Sequence, residues 1–530
     1  KAAMEEVEHM FNGEESSSEE DDSETDDDDV RYPLPAHRMP VHDDENIGLQ
    51  PKQPQCDRRP LGATPQRVTG GSDEVEEARA PFQPLTPITE RTERTDSSRW
   101  TLDVPSEDAM PYGGLRAPPT SLAIPNPCSP ADPDIVSTLL SNLARPVTQL
   151  PGYVDEAHES QYLSTLRARL DARSRRSSVG NGCDVQVADM QLSVYSRLGE
   201  GGFGSVFLAQ DMNESVPLAG QVTASYADVD QDDIDELERR QLLALKIESP
   251  PNPWEFYILD QLRHRLPDQL QASIVGARRF VSCANESLLL LEYASMGTLL
   301  ELVNHAAEAG VSSVLGQGGG VEEVLAMFFV NELCRIVQGM HEAGLIHGDL
   351  KIDNCMIRAD DVDEWTSTYA ADGSGGWAAK GVTLIDFGRA IDMCCYPPDQ
   401  RFLADWQPGA QDCVEMREMR PWTYQADYYG LASIAHCLLF GKYMDTTCYV
   451  NDDGLKTYKI QQSLRRYWQT DLWTRFFHLM LNSTHYPAVG PQLTELRAEM
   501  DAWLTAHSFH AGKNLKGLLK KVEIWALRRV

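Results

Sequence analysis

Nine of the ten tryptophans lie beyond position 190, whereas 20 of the 31 prolines fall at or before Pro151. A core needs large apolar side chains, and a proline-rich, charged stretch buries too little surface to offset the entropy of ordering the chain. Any large core in these 530 residues is therefore confined to the later part. The first 30 residues sharpen the division: they hold 14 Asp or Glu against one Lys, and so carry −13 of the formal net charge of −34. Residues 1–132 are expected to be a disordered acidic and Pro-rich region.

With 81 acidic against 47 basic residues, the basic surface that nucleic-acid backbones require is missing. No direct nucleic-acid binding is expected, and a basic partner suits the chain better. No run reaches the ~18 apolar residues of a membrane span, and no charged-then-apolar signal opens the chain, so no membrane role is expected. The eleven cysteines contain no C-x-x-C, and the adjacent Cys394–Cys395 is not a ligand spacing. Reduced intracellular thiols follow. The chain opens on Lys1 rather than Met, as a piece of a longer protein would.

Within the tail, Glu14 to Asp29 sets Ser16, Ser17, Ser18, Ser23 and Thr25 among carboxylates. The tract reads as solvated chain or as a cluster for acidophilic phosphorylation. Thr64-Pro65, Thr86-Pro87 and Ser129-Pro130 are candidate proline-directed sites, and Pro81 to Thr95 (PFQPLTPITERTERT) has the look of a linear motif.

From Asp134 the texture changes. DIVSTLLSNLA and SQYLSTLRARLDARSRR place apolar residues at helical spacing, which predicts two short amphipathic helices in an extension over 133–185. Helices this short need a surface to pack on. Beyond about position 186 strand signals come first (VYSRLGEGGFGSVFLAQ, LLALKIE, LLLLEYA), with one helix, WEFYILDQLRHRL, among them. Helical patterns then dominate, as in VEEVLAMFFVNELCRIVQGMHEAG and ADYYGLASIAHCLLF. The reading is α+β with two lobes: a small β-rich lobe over 186–294 and a larger helical lobe over 295–530.

Four groups of residues carry chemistry. Gly199, Gly201, Gly204 and Val206 match G-x-G-x-x-G-x-V between two predicted strands, where glycine lets backbone N–H groups approach phosphates. A dinucleotide fingerprint would open a helix instead. Lys246 ends Leu-Ala-Leu-Lys on the next strong strand, and Glu255 is the first clear carboxylate of the following helix; a pair between them would fix an ammonium at the α- and β-phosphates. His347 to Asn354 (HGDLKIDN) fits H-x-D-L-x-x-x-N, with Asp349 to orient a hydroxyl proton, Lys351 to offset charge and Asn354 to hold a metal. Asp386-Phe387-Gly388 supplies a second metal ligand. Each has a bland reading as a turn or surface residue, but the set in this order does not.

The set resembles a eukaryotic protein kinase, which implies ATP and Mg2+ as cofactors and a hinge at Glu292-Tyr293-Ala294 whose backbone reads adenine, with Leu291 behind it. More specific strings are NPWEFYI around Glu255, HGDLKIDN, IDFGRAIDM from Ile385 and PWTYQADYYG from Pro421. These closely resemble the spindle-assembly-checkpoint serine/threonine kinases of the budding-uninhibited-by-benzimidazole family. That resemblance implies nuclear, kinetochore action, phosphorylation of protein substrates including a core histone tail, and partners such as a WD-repeat checkpoint protein and kinetochore proteins. A rival reading is a scaffold or pseudokinase acting through its N-terminal region.

Two departures from the general pattern carry mechanism. Gly348 stands where most kinases have Arg, and no Ser or Thr occurs between Gly388 and Glu415. The activation segment is expected to be ordered by packing, with the helices over 134–175 as the brace. Glu415 is expected to make an anchoring ion pair and Asp427 to brace the catalytic loop. Insertions at 211–241 and 359–380 are expected to be surface loops, and the basic KNLKGLLKKVEIWALRRV a helix packed on the large lobe, with a nuclear-localisation or membrane-surface role as the alternative.

Overall fold

The computed structural model describes residues 83–88, 124–174, 182–201, 204–213, 242–314, 319–508 and 514–529. The acidic tract Glu14 to Asp29 and most of the 211–241 insertion lie outside the described residues. Residues 83–88 and 124–132, which fall inside the stretch expected to lack order, are described and hydrogen-bonded to the lobe that follows.

The extension begins with α1 (Pro133–Ser141), started by Pro133 and capped by Asp132, whose side chain accepts the Asp134 N–H at 2.9 Å. After α1 comes β1 (Tyr153–Glu156), then α2 (Tyr162–Ser174). The small lobe follows as β2 (Cys183–Val187), β3 (Met190–Glu200), β4 (Gly204–Asp211), β5 (Leu242–Glu248), α3 (Trp254–Arg265), β6 (Ala277–Cys283) and β7 (Ser287–Glu292). One seven-stranded sheet takes the order β1-β6-β7-β5-β4-β3-β2. The extension thus contributes a strand as well as two helices. β1 pairs parallel with β6, Tyr153 opposite Phe280, and a four-residue strand of mixed polarity gave no periodic signal.

Strand alternation decides what each face does. On β5 Leu243, Leu245 and Ile247 point to one side and are buried, where they join Phe207, Leu288 and Leu166 of α2 in a compact cluster. Lys246 faces the other side. β7 is apolar on both faces because the opposite face also packs, with Leu289, Phe280 and Phe256 of α3 in the second cluster.

The large lobe runs from α4 (Leu299–Asn304) through α5 (Glu323–Glu342), the short strands β8 (Leu345–Ile346), β9 (Cys355–Ala359), β10 (Lys380–Leu384) and β11 (Ile391–Asp392), to α6 (Gln425–Phe440). The hairpin β12 (Thr446–Val450) and β13 (Lys456–Ile460) and the helices α7 (Thr470–Leu481), α8 (Val489–His507) and α9 (Leu515–Leu527) complete it. α5 is buried on nearly every side and forms the axis of the lobe. The closing helix α9 packs as expected, burying Leu515, Leu518, Val522 and Trp525.

The 359–380 insertion is a surface loop, exposed over 360–364 and at several later positions, but one with buried anchors. Tyr369 and Trp377 are buried and meet Phe328 of α5 edge-on, and the Tyr369 hydroxyl donates to Asp501 at 2.8 Å. Its Asp and Gly content suggested solvent, but three aromatic side chains, Trp365, Tyr369 and Trp377, meet edge to face within it and supply a small core of their own. Among the described residues no helix is long and apolar enough to cross a membrane.

Candidate active site

The roof of the site is the β3–β4 turn. Gly201 donates its N–H to the Gly204 carbonyl at 3.0 Å, closing the turn. A side chain at Gly204 would meet the Ile247 carbonyl at 2.1 Å, so the third glycine is fixed by packing on β5. A methyl group at Gly199 or Gly201 would meet nothing within 4 Å. Protein packing does not require glycine at those two positions, and the open space there would let a phosphate chain approach the backbone closely. Val206 lies directly opposite Lys246 in the register of β4 and β5, and Glu292 and Ala294 sit at and just beyond the end of β7, the other neighbour of β5.

Lys246 collects the charges. Its Nζ lies 2.7 Å from Glu255, 2.9 Å from Asp386 and 3.6 Å from Glu248. Burial works to lower the Lys246 pKa, but the three carboxylates, Asp386 foremost, outweigh it and hold the ammonium well above its ordinary range. Lys246 in turn is the largest cause that brings Asp386 down to about 2, while burial pushes Glu248 up to about 7. Glu255 is fully buried, and its second oxygen accepts the Phe387 N–H at 3.1 Å. One carboxylate therefore ties α3, β5 and the Asp386-Phe387-Gly388 turn together.

The floor is the catalytic loop. Lys351 donates to Asp349 Oδ2 at 2.7 Å, and Asn354 Nδ2 donates to the Asp349 carbonyl at 2.9 Å. That use of its Nδ2 leaves the Asn354 amide oxygen to serve as a ligand. Burial opposes the charge on Lys351, and Asp349 more than restores it. Asp427, at the start of α6, is fully buried and accepts the N–H groups of His347 at 2.8 Å and Gly348 at 2.9 Å, with His341 Nε2 at 2.9 Å. This is the bracing role expected of it. Gly348 has φ +76°, and a side chain there would meet the Arg389 carbonyl at 2.5 Å. Arginine is absent from this position because the backbone leaves no room for any side chain.

The start of the activation segment is tied to α3. Asp392 on β11, fully buried, takes both arms of Arg265 at 2.8 Å and the Tyr257 hydroxyl at 2.8 Å. Trp254 Nε1 donates to the Ala390 carbonyl at 2.7 Å. All three partners project from α3. Tyr396, the one hydroxyl side chain of the segment, is 1% exposed and closed to a modifying enzyme.

The hydrogen bonds that the extension makes to the segment come from just before the two helices, at residues 125–128: Leu403 donates to the Cys128 carbonyl at 2.9 Å, Gln400 to the Pro125 carbonyl at 2.9 Å, and Asn126 bonds the backbone of Asp399 and Arg401, each at 3.0 Å. α2 braces the roof instead, through Arg167, which donates to Ser205 at 3.0 Å and pairs with Glu200 at 3.0 Å. Glu415 is buried, but its partner Arg420 is 3.9 Å away and 45% exposed, so the expected anchor is a loose contact.

Arg167, Arg265 and Asp392 are the functional residues that sequence reasoning missed. Their types were visible, but partners separated by 38 and 127 residues follow no local period.

Asp386 and Asn354 could each offer an oxygen to a divalent cation, a donor pair that would suit Mg2+ shared with substrate phosphates. Among the described residues no group of three or more His, Cys, Asp or Glu forms a metal cage.

A protein kinase domain profile matches residues 192–476. The spindle assembly checkpoint serine/threonine-protein kinase bub1 of Schizosaccharomyces pombe is 37% identical over 69% of this chain, and its counterpart BUB1 of Saccharomyces cerevisiae 33% identical over 72%. The chain spans about a third of the length of these two relatives, 35% and 34%. A crystal structure of the BubR1 kinase domain superposes with a TM-score of 0.55 at 24% identity, covering 75% of this chain and 99% of that one, and so shares the fold. The profile spans the sheet that sets Lys246 against Glu255 and Asp386 and the loop that sets Lys351 and Asn354 on Asp349, and the chain belongs to the protein kinase family.

Proposed function

We propose that the chain is an active serine/threonine protein kinase of the spindle checkpoint. The observation that carries this reading is the joint placement of Lys246, Glu255 and Asp386 with Asp349, Lys351 and Asn354 in one site, each with a hydrogen-bond partner suited to its role. Lys246 would hold the α- and β-phosphates, Asp386 and Asn354 the Mg2+, and the Glu292–Ala294 backbone the adenine. ATP with its metal supplies the transferred phosphoryl group. Asp349 orients the substrate hydroxyl and accepts its proton, and Lys351 offsets the charge that collects beside it. The work is positioning and charge neutralisation, so fixed charges suffice.

The fungal relatives support placing this activity at the checkpoint, and with it the finer expectations: nuclear and kinetochore localisation, a core histone tail among the substrates, and WD-repeat and kinetochore proteins as partners. The scaffold or pseudokinase reading gains no support from a site in which the whole charge set is assembled. Transfer of radiolabelled phosphate from ATP to a histone mixture tests the proposal. Activity is expected in the full chain and lost in Asp349→Asn, and equal transfer by the variant refutes the role given to Asp349.

A further inference from the structure

Six residues far from the lobes in sequence, Gln83-Pro84-Leu85-Thr86-Pro87-Ile88, lie against the large lobe without regular secondary structure. One amide holds both backbone polar groups of Leu85: its N–H donates to Asn304 Oδ1 at 2.6 Å, and Asn304 Nδ2 donates back to its carbonyl at 2.7 Å. The Leu85 side chain packs, half-buried, against the large-lobe core. The Tyr443 hydroxyl donates to the Thr86 carbonyl, and the Ile88 N–H donates to Asp353 at 3.2 Å. Recognition therefore runs mostly through backbone, as in strand addition. Pro84 and Pro87 suit it, since each fixes φ and lowers the entropy lost on docking.

The place where the segment ends gives it a consequence. Asp353 is the residue before the metal ligand Asn354. Ile88 lines one cavity with Asp349, Lys351, Arg389, Trp406 and Asp412, where the catalytic loop meets the activation segment. A protein substrate that brings its hydroxyl to Asp349 must cross this surface. The 35 residues from Thr89 to Ala123 can reach at most ~120 Å when extended, so chain length allows the contact within one molecule.

Resting on the kinase reading above, we propose that residues 83–88 are a built-in occupant of the protein-substrate groove, docked in cis through Asn304, Tyr443 and Asp353, and that substrates bind by displacing it. The contact regulates substrate access and leaves the nucleotide side untouched.

The test is steady-state kinetics of the full chain with a degenerate Ser/Thr peptide mixture. Two variants attack the contact from opposite sides: Leu85→Asp with Ile88→Asp on the segment, and Asn304→Ala on the lobe. For a segment docked nine-tenths of the time, the peptide KM should fall about tenfold in the double variant, because apparent affinity scales with the free fraction. Asn304→Ala should shift it the same way by less, with kcat and the ATP KM unchanged in both. A synthetic peptide of residues 81–90 added to the double variant should inhibit competitively against peptide substrate and not against ATP.

An unchanged peptide KM in both variants overturns the proposal, as does a fall in kcat alone, which would make the segment a structural support. A KM that depends on enzyme concentration overturns docking in cis in favour of a second copy. If the wild-type chain transfers no phosphate at all, the kinase reading fails. The contact is then tested by fluorescence anisotropy of the labelled 81–90 peptide on the double variant, where absence of binding refutes it.

Discussion

In the catalytic loop, residues 347–354, the contacts that shape the chemistry run between near neighbours: Lys351 to Asp349 two positions away and Asn354 to Asp349 five positions away. In the activation segment, after Phe387, they come from far along the chain. Asp392 is bound by Arg265, Ala390 by Trp254, and Leu403 by Cys128. The two regions adjoin, yet the loop sets its chemical groups on one another within a local string, its backbone braced by Asp427 of α6, while the segment borrows its geometry from α3 and the extension. Anchoring of this kind accords with the lack of Ser and Thr between Gly388 and Glu415.

The comparison breaks first at the loop. Asp349→Asn keeps the shape and removes the proton acceptor, so phosphotransfer should fall by about 10²- to 10⁴-fold while the melting temperature stays within a degree or so. A large loss of stability would mean that Asp349 holds the loop rather than serving substrate.

The reverse pattern is expected at the segment. Arg265→Ala leaves the Asp392 carboxylate buried without its bidentate partner, at a cost of about 3 kcal/mol or somewhat more. Calorimetry should show a melting temperature lowered by several degrees, and activity should drop because the segment loosens. Unchanged melting would show that packing from residues 125–128 alone suffices.

This division also explains what was legible in the sequence. Glycine turn, Lys246, Glu255, HGDLKIDN and Asp386-Phe387-Gly388 are short strings whose residue types are dictated by phosphate chemistry, so they can be read without a fold. The lobes were legible because strand alternation and helical spacing are local periods as well. β1, the 125–128 contact and the buried aromatics of 359–380 were not. Each depends on a partner surface that exists only after folding: β6 for Tyr153–Glu156, Phe402 and its neighbours for Cys128, α5 for Tyr369 and Trp377.

Two carboxylates give the comparison a pH signature. In Asp427 burial opposes the charge, but His341 and the catalytic-loop donors outweigh it, and its pKa is lowered. Its contribution is present above the ordinary carboxylate value near 4 and is lost as pH falls through the lower folded value. In Asp412 of the activation segment burial dominates and the pKa is raised, despite bonds from Gly409 and Trp406. Its contribution is fully present below that ordinary value and is lost as pH rises through the higher folded one. Urea unfolding between about pH 3.5 and 5.5 should therefore show the deficit of Asp427→Asn shrinking toward the acid end. The deficit of Asp412→Asn should shrink toward the other end, and parallel slopes would contradict the assignment.

The smallest effect tests whether the extension and α3 hold the segment as one unit. Asn126→Ala deletes two hydrogen bonds to the backbone of Asp399 and Arg401 at an exposed site, for a cost of about 1 kcal/mol in all. If the two anchors are independent, the losses from Asn126→Ala and Arg265→Ala should add within about 0.5 kcal/mol. If they clamp one ordered segment, the first cut frees it and the second costs less, so the double variant should be more stable than the sum by more than that margin. The same cycle run on kcat separates support from chemistry: coupling in stability with additive effects on kcat would mean that the segment, once folded, takes up one geometry whichever anchor remains.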